Sequence, residues 1–582
     1  MFMKWLPRLA PWQIVLLAGL ACFPAIFTQY FGDDFIHYAL LSPTLQVPQA
    51  QDWSIFGLFS WVDGNPERNH QLMNYSLIPW WTDDAMHYAF WRPLSELSHW
   101  LDHHLWHDSA KMMHLHNVLW YGVLGGLLFV LYRSLIPGVM AGIACFAFML
   151  DATHGFTVAW IANRNAIIAA CFCVLTLHCY QRAQNGELTA KDQPPKLMLG
   201  LSILSYTLAL LSAEIGVSTA AYLGAYALTL DKRGPRASVL ALWPFVLITL
   251  AWWGLYKLGH FGANASDTYY IDPVESPLLF LSKLVERIPV LLFSQWGFIP
   301  AEIYGFSPGP IWSYVAIATL FVAWVGYLMW PLLKSSPQAR FWALGMLGAL
   351  GPICAALPHD RNLLLVGIGA SALVGMLFAQ VYEQGVSQSG LRRGIKFVLF
   401  LQLCVAPLLL PMTSYSPKWL ASMMGMQHAA QLPVNADAPD NILLVGLPLP
   451  TSLGMVPMRY AEKRPLPKKL WMLSSEPLQF HLKRTDDNTL IVDAPLGMVN
   501  GIEGVLRNVD KKPFRIGEQV PLAGMTIEVS GVNSGGHPTQ LTLHFSDGEL
   551  AHTRFLQWKG NDFQAVSIPA AGNEVQLSWA DN

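Results

Sequence analysis

The chain has 582 residues, of which 53% are hydrophobic and only 13% are charged. Soluble domains carry roughly a quarter charged residues, so this composition excludes an ordinary soluble protein and makes the membrane its main solvent. The 36 basic and 38 acidic residues provide no basic surface for phosphate backbones, which excludes nucleic acid as a partner.

The first apolar run covers residues 12-30 and follows two basic residues, Lys4 and Arg8. It is long enough to cross about 30 Å of hydrocarbon, so we interpret it as a retained first span rather than a cleaved signal peptide. Ten further apolar stretches predict a polytopic α-helical membrane protein with about 11 transmembrane helices. The predicted spans are 12-30, 114-132, 137-152, 156-180, 197-212, 215-230, 238-258, 311-333, 341-357, 363-381 and 394-411.

The distribution of lysine and arginine indicates how these spans are oriented. With the N-terminus in the cytoplasm every predicted internal loop is basic, as the positive-inside rule requires. We therefore expect a multi-pass protein of the bacterial inner membrane, with a transmembrane domain at 1-412 and a periplasmic domain at 413-582. Two long loops, 31-112 and 259-310, also lie outside, and long loops within a compact fold are commonly functional.

Two adjacent acids, Asp33 and Asp34, come directly after the first span on the predicted external face. A carboxylate at the membrane surface can act as general base on an acceptor while a lipid-linked donor is held at the interface. The alternative interpretation is a solvated pair that marks a helix end.

A near-copy of this segment occurs fifty positions later, at Asp83 and Asp84. Aspartate and histidine at i and i+3 share a helical face, so Asp34 with His37, and Asp84 with His87, are possible ligands of a divalent metal ion. The alternative is a chance repeat.

Half of the eighteen histidines lie between residues 31 and 116. His99, His103 and His107 follow at i, i+4 and i+8 on a stretch that predicts an interfacial amphipathic helix. A zinc site is one interpretation; the pattern favours the other, a wet helix face whose Trp100 and Leu101 lie in the headgroup zone, because no metalloprotease signature accompanies it.

Three charged residues stand within or at the ends of predicted spans: Arg164, Glu214 and Arg361. Each is costly in hydrocarbon unless it is paired or lines a hydrated cavity. All three lie near the external ends of their helices, so they are hypothesised to converge on one polar pocket, where an arginine would bind a lipid phosphate through its planar donors. Taken singly, each is as well explained by an interhelical ion pair or a snorkelling arginine.

After Thr413 short apolar runs alternate with turn residues, which predicts a β-rich domain without a catalytic motif. The predicted strands are 441-445, 489-492, 525-529, 540-545, 564-568 and 574-579.

In order, these pieces resemble the GT-C glycosyltransferases, especially the O-mannosyltransferases that carry tetratricopeptide repeats and their bacterial relatives. The resemblance covers roughly the first 230 residues and extends to the remaining spans only by layout. The motifs that carry it are Asp33-Asp34, Trp91-Arg92-Pro93-Leu94, His114-Leu115-His116-Asn117, Asn163-Arg164-Asn165 and Leu211-Ser212-Ala213-Glu214-Ile215-Gly216.

The resemblance implies an inverting enzyme that moves a sugar from a polyprenyl-phosphate donor to a protein such as pilin, a lipid or a glycan. It implies Asp33 as base with Asp34 assisting, membrane lipids as partners, and no certain cofactor apart from a possible divalent metal. The implied or predicted substrate-binding residues are Arg92, Arg164, Glu214, Arg361, His99 and His116. The chain departs from the family at Ala213, where relatives often have lysine, and in its β-rich domain, which replaces helical repeats.

Three rival functions remain open at this stage. An O-antigen ligase or polymerase is also polytopic, but here the long loop with the acidic pair lies early in the chain. A lipid or sugar transporter would use Arg164 and Glu214 as part of a pathway, yet the two halves show no matching broken helices. A non-catalytic scaffold that presents the β-rich domain is the third.

Overall fold

The computed structural model describes residues 9–42, 56–74, 76–107, 109–184, 195–264, 269–306, 311–426, 431–437, 440–475, 478–559 and 562–578. The predicted cytoplasmic residues Lys4 and Arg8 lie outside these ranges. The α-helices are Pro11–Ala21, Asp33–Leu41, Pro66–Asn74, Pro93–Trp106, Ala110–Leu135, Gly138–Met149, Gly155–Ala159, Arg164–Gln184, Pro195–Ser212, Thr219–Thr229, Pro235–Leu240, Trp243–Leu258, Pro277–Gly297, Ile303–Phe306, Ile311–Ser335, Pro337–Ile353, Leu364–Ala379, Ser389–Phe400, Ala406–Thr413, Ser416–Met423 and Leu449–Ala461.

The chain forms two compact units. The helical unit comprises Met1–Phe31, Trp91–Gly259 and Asp272–Lys418. The mixed unit comprises Gly32–Phe90, His260–Ile271 and Trp419–Asn582. The predicted boundary at residue 413 divides the chain differently, because most of the described part of loop 31-112 folds with the C-terminal residues.

Helix lengths in the helical unit explain how the predicted spans compare with the structure. Each of the eleven apolar stretches contains helix, but seven helices in the described ranges are long and apolar enough to cross a membrane. An eighth crossing exists if the bent pair Gly138–Met149 and Ala152–Ala159 is one span, and Pro11–Phe27 is a shorter apolar helix. At about 1.5 Å per residue, the short helices fall below the 30 Å of hydrocarbon, so the count of eleven is not confirmed.

The helix Leu364–Ala379 forms the centre of the helical unit, because every one of its side chains is buried. Tyr132 and Tyr222 donate hydrogen bonds from their hydroxyls to its backbone carbonyls at Ile368 and Leu365, over 2.8 and 2.7 Å. Its glycines allow neighbouring helices to approach closely. At Gly375 an added Cβ would overlap the Met140 carbonyl oxygen of the adjacent helix.

Replacing Gly375 with alanine is therefore expected to lower the free energy of unfolding by about 1–3 kcal/mol, because two backbones must separate. The measurement is the thermal unfolding midpoint in detergent. Gly142→Ala, in the helix that packs there, is the matched control: an added Cβ meets nothing within 4 Å, so stability should stay equal or rise. Equal midpoints for Gly375→Ala and wild type would contradict this packing.

The described residues of the mixed unit form three sheets. Its strands are β1 (Ser60–Asp63), β2 (His87–Ala89), β3 (Gly262–Asn264), β4 (Asn441–Gly446), β5 (Lys469–Met472), β6 (Gln479–Arg484), β7 (Thr489–Asp493), β8 (Gln519–Leu522), β9 (Met525–Val532), β10 (Pro538–Phe545), β11 (Thr553–Lys559), β12 (Asp562–Val566) and β13 (Glu574–Ser578). The sheet orders are β1-β2-β3, β13-β6-β7-β10-β9-β8 and β12-β11-β4-β5. The polytopic helical fold with a β-rich C-terminal domain is thus confirmed.

Two features of the mixed unit were not predicted. Strands β11, β4 and β5 are parallel, and the helix Leu449–Ala461 makes the crossover from β4 to β5 that parallel strands require. Residues from the early loop pack on this domain: Trp80 donates its indole N–H to the Leu473 carbonyl, and Ser42 bonds the Tyr460 hydroxyl over 2.8 Å.

Candidate functional site

The helix Pro93–Trp106, which we call the amphipathic helix, turns its polar face inward. Ser95, Glu96, His99 and Asp102 are at most 4% exposed, although their spacing makes one hydrophilic stripe. The opposite stripe of Leu97, Leu101 and Leu105 is 42 to 55% exposed. An exposed stripe of leucines is suited to contact with lipid. This arrangement agrees with the apolar face of the predicted interfacial helix.

One of the predicted wet-face histidines, His99, does not lie on an exposed face, whereas His103 is partly exposed. His99 is buried, so the favoured interpretation was wrong about where that side chain lies. The helix ends at Trp106, and His107 has φ of 49°, a left-handed backbone that leaves the helical repeat. The i, i+4, i+8 spacing therefore stops at His103, because the helix that would carry it has ended.

The amphipathic helix is anchored at its start by an ion pair. Arg92 contacts Glu214 through Nε and Nη2 at 2.8 and 2.7 Å, and the Ser95 hydroxyl donates to the Ser212 carbonyl over 2.7 Å. Glu214 begins a short 3-10 helix directly after Ala213, whose extended backbone separates it from the helix ending at Ser212. Two predicted substrate ligands, Arg92 and Glu214, thus neutralise each other.

Further along the amphipathic helix, Arg164 is enclosed by protein acceptors. Its Nε donates to Asn117 Oδ1 at 2.5 Å, Nη1 to the Ser98 hydroxyl at 3.0 Å, and Nη2 to the Met113 carbonyl at 3.0 Å. Nη2 also pairs with the Asp102 carboxylate. The Arg164 side chain is 0% exposed, so the arrangement suits a structural centre of the bundle rather than an open phosphate site.

Asp102 contacts a second cation-forming group, the imidazole of His116. Nδ1 of His116 lies 2.5 Å from Asp102 Oδ1, and the His116 side chain is 25% exposed where Asp102 is 1% exposed. The neighbouring Asn117 donates its amide to the Val158 and Trp160 carbonyls at 3.2 and 3.0 Å. The beginning of the second long helix is thereby tied to the Trp160 segment.

Arg361 has a different environment, because its guanidinium lies on an aromatic ring. It stands in the 3-10 turn Asp360–Leu363, 4.7 Å from the Trp160 ring centroid. Among the described residues its guanidinium has no hydrogen-bonding or ion-pair partner, and the side chain is partly exposed. Trp160 Nε1 donates to the Phe31 carbonyl over 3.0 Å, and Phe31 is two positions before Asp33 in the sequence.

An acidic cluster that sequence analysis did not predict stands beside Arg361. His359 Nδ1 is 2.6 Å from Glu302 Oε1, while Asp360 Oδ1 accepts from the Ser294 hydroxyl and the Ala301 N–H at 2.6 and 2.9 Å. Burial lowers the pKa of His359, and the contact with Glu302 opposes this shift only in part. Nδ1 of His359 also accepts from the backbone N–H of Arg361 at 3.1 Å, so the imidazole lies between Glu302 and the turn that carries Arg361.

The predicted catalytic acids begin the helix Asp33–Leu41 in the mixed unit. Gly32 has φ of 52°, which favours glycine at the entry to this helix. Asp33 is partly exposed, whereas Asp34 is 3% exposed. His37 is buried, with its ring centroid 4.6 Å from that of Phe59. Accessibility therefore favours Asp33 over Asp34 as the acid that meets a substrate.

Both acids of the near-copy contact basic side chains. Asp83 pairs with Lys512 at 2.7 Å, and Asp84 contacts His70 at 3.2 Å. His87 begins strand β2, so Asp84 and His87 do not share a helical face and that basis for a metal site was wrong. In the part of the chain that the structure describes, no group of three or more histidine, cysteine, aspartate or glutamate side chains is arranged to hold a metal.

The three charged residues hypothesised to converge fall into two contact groups among the described residues. Arg164 and Arg361 are connected through Asn117 and Trp160. Glu214 instead pairs with Arg92, ten residues before Asp102 on the amphipathic helix, which corresponds to about 15 Å along a helix. Sequence analysis missed the contact group centred on Asp102. The one sequence feature that could have indicated it is its position between histidines on an amphipathic stretch.

Similarity to known proteins is found among solved structures. No protein-family model matches the chain, and no curated protein matches it. An Archaeoglobus fulgidus oligosaccharyltransferase, tethered with an acceptor peptide containing the NVT sequon, is similar at 12% identity and a TM-score of 0.41. That match covers 81% of this chain and 64% of the archaeal chain. This chain therefore spans less than two thirds of the archaeal chain's length.

Two further solved structures are similar to this chain. The same archaeal enzyme in complex with Zn and sulfate matches at 10% identity and a TM-score of 0.38, over 79% of this chain and 62% of that one. ArnT from Cupriavidus metallidurans, bound to undecaprenyl phosphate, matches at 14% identity and a TM-score of 0.37, over 78% of this chain and 84% of that one. Both kinds of protein are GT-C glycosyltransferases. With TM-scores below 0.5, these similarities transfer no residue role or substrate to this chain.

Proposed function

We propose that this chain is an integral membrane glycosyltransferase that moves a sugar from a polyprenyl-phosphate donor to a protein, lipid or glycan acceptor. The acceptor side is proposed to be the periplasmic face of a bacterial inner membrane. The observation that carries the proposal is the Arg361 guanidinium, which lies 4.7 Å from the Trp160 ring at the start of an apolar helix. The position of Arg361 beside the end of an apolar helix supports a role in binding a lipid phosphate.

The three arginines predicted to bind substrate differ in what already contacts them. Arg164 is enclosed and Arg92 is paired with Glu214. Arg361 alone of the three has no protein acceptor for its guanidinium within the described residues. A charged group at the end of an apolar helix is costly unless an anion or water compensates it, and a planar guanidinium matches phosphate oxygens two at a time. We therefore assign donor-phosphate binding to Arg361.

The proposed chemistry is a single displacement at the anomeric carbon of the donor sugar. The acceptor hydroxyl or amide attacks this carbon, the bond from the carbon to the phosphate oxygen breaks, and the configuration inverts. By the resemblance to GT-C enzymes, Asp33 takes the acceptor's proton and Asp34 assists. The departing polyprenyl phosphate gains negative charge, which the Arg361 guanidinium stabilises.

Replacing Arg361 with glutamine is expected to lower transfer by about 10²-fold, because one charge-stabilising donor group is lost. Arg361→Lys should recover part of the activity, since lysine restores the charge without the planar fork. The measurement is transfer of radiolabelled sugar from membrane-supplied polyprenyl-phosphate donors in cells with matched expression. Arg393→Gln, an exposed arginine in the helix Ser389–Phe400, is the control and should leave transfer unchanged.

Two results would contradict the proposed function. Full transfer by Arg361→Gln would remove the phosphate assignment. Absence of transfer by the wild type with every polyprenyl-phosphate donor supplied would instead favour the transporter or scaffold interpretation.

A further inference from the structure

Asp102 is a buried carboxylate shared between two nitrogen groups of different kinds. One oxygen faces the Arg164 guanidinium and the other lies 2.5 Å from Nδ1 of His116. Arg164 does not lose its proton in proteins, so this pairing keeps Asp102 in its carboxylate form. A carboxylate only accepts hydrogen bonds, and therefore Nδ1 of His116 must carry the hydrogen of the short contact.

This arrangement determines which way the imidazole of His116 presents its second nitrogen. With Nδ1 occupied by Asp102, Nε2 is directed away from the carboxylate. Nε2 has no protein hydrogen bond in the part of the chain that the structure describes, and the side chain is 25% exposed. Because Nδ1 is directed to Asp102, Nε2 is the imidazole atom left to form a second hydrogen bond, with a ligand oxygen.

Several contacts hold this group rigidly in the helical unit. Asp102 lies on the inward face of the amphipathic helix, which Ser95 and Arg92 fix at its start. On the other side, Asn117 accepts from Arg164 Nε at 2.5 Å and donates to the Trp160 carbonyl at 3.0 Å. The Arg361 guanidinium lies over the ring of this same Trp160. His116 is thus next in sequence to the residue that connects Arg164 with the Arg361 segment.

We propose that Asp102 is a positioning residue, which holds His116 so that its Nε2 shares one proton with a phosphate oxygen of the polyprenyl-phosphate donor. The assignment deepens the proposed function and rests on it for the identity of the lipid. His116 contacts the ligand, and Asp102 acts only through His116. Arg164 neutralises Asp102 and is not itself a ligand.

Binding of farnesyl phosphate to the purified full-length protein tests this assignment without requiring transfer. The dissociation constant comes from the rise in thermal unfolding midpoint with ligand concentration, because a ligand of the folded state raises this midpoint. Farnesol and inorganic phosphate are measured in parallel. We expect His116→Gln and Asp102→Asn each to weaken farnesyl phosphate binding about tenfold or more, as for loss of a hydrogen bond to a charged group.

The double variant Asp102→Asn/His116→Gln should bind no more weakly than His116→Gln alone, since Asp102 acts through His116. Ser202→Ala is the matched control: it removes one buried hydrogen bond, to the Thr176 carbonyl, from another helix of the same unit and should lower the ligand-free midpoint while the dissociation constant stays unchanged. Asp102→Asn could fail to fold because Arg164 loses its counter-ion. In that case the double variant Asp102→Asn/Arg164→Gln, which removes both charges together, takes the place of Asp102→Asn in the comparison.

Each remaining result has a definite meaning. Wild type that does not bind farnesyl phosphate, or Asp102 variants that lower the midpoint and keep the wild-type dissociation constant, would overturn the assignment. Equal affinity for inorganic phosphate would overturn its lipid part. Wild type that binds farnesyl phosphate through His116 and yet transfers no sugar would support the assignment while the proposed glycosyltransferase function fails.

Discussion

Transfer by Asp33→Asn is expected to fall by about 10²–10⁴-fold relative to wild type, the usual contribution of a general base. The amide cannot take the acceptor's proton, although it has almost the same size as the carboxylate. Asp33 is partly exposed and begins the helix Asp33–Leu41, where its charge near the helix N-terminus contributes about 0.3–1 kcal/mol, and the thermal unfolding midpoint of the variant checks that it folds. Transfer should therefore be lost from a folded protein.

The neighbouring Asp34 provides an internal comparison. It is 3% exposed, so Asp34→Asn is expected to lower the thermal unfolding midpoint as well as transfer. Asp63→Asn is the control, because Asp63 is a partly exposed carboxylate of the same unit whose ion pair with Arg68 contributes little. The base assignment fails if Asp33→Asn keeps full transfer, or if it loses transfer only in proportion to a loss of folded protein.

Removal of the Arg164 guanidinium is expected to cause the largest loss of stability. Arg164→Gln leaves Asp102 buried without its cation, and breaking a buried pair from one side costs about 3–5 kcal/mol. It also removes hydrogen bonds that Asn117, Ser98 and Met113 accept. Differential scanning fluorimetry in detergent should show a much lower unfolding midpoint.

Arg133→Gln is the matched control for this prediction. Arg133 is exposed in the last turn of the helix Ala110–Leu135, so its loss should change stability by no more than about 0.5 kcal/mol. The unfolding midpoint of Arg164→Lys should fall between those of Arg164→Gln and Arg133→Gln, because lysine keeps the charge but lacks the planar guanidinium. If Arg164→Gln kept the wild-type midpoint and lost only donor binding, Arg164 would be a direct ligand and not the structural centre of the bundle.

Much of the fold was predictable from hydrophobic pattern. Every predicted apolar stretch contains helix, and all six predicted strands in the C-terminal domain overlap an observed one. The strands that were missed include β5, β6 and β11, and the helix Leu449–Ala461 was missed as well. The helix carries proline and β5 has four residues, while β6 and β11 are polar enough in sequence to resemble loop segments.

Much less of the site could be predicted. Arg361, Arg164 and Glu214 were identified because charge inside or beside an apolar stretch requires a partner, and His116 because its motif resembles that of a known family. Which partner each one has was not predictable, since the pairs Arg92 with Glu214 and Arg164 with Asp102 join residues 122 and 62 positions apart. Asp102 itself was hidden because an acid on an amphipathic helix predicts a solvated face, and only burial shows that the face points inward.

The sequence by itself determined that the chain belongs in a membrane, where its apolar helices lie, and that the C-terminal residues form strands. These properties depend on local composition, because hydrocarbon selects for continuous apolar runs and strands for alternation. Tertiary structure alone decided that Arg164 is enclosed, that Arg361 remains available, and that Asp102 joins His116 to the bundle. Those outcomes depend on contacts between distant segments, and a side chain's burial and partners exist only once the helices have packed together.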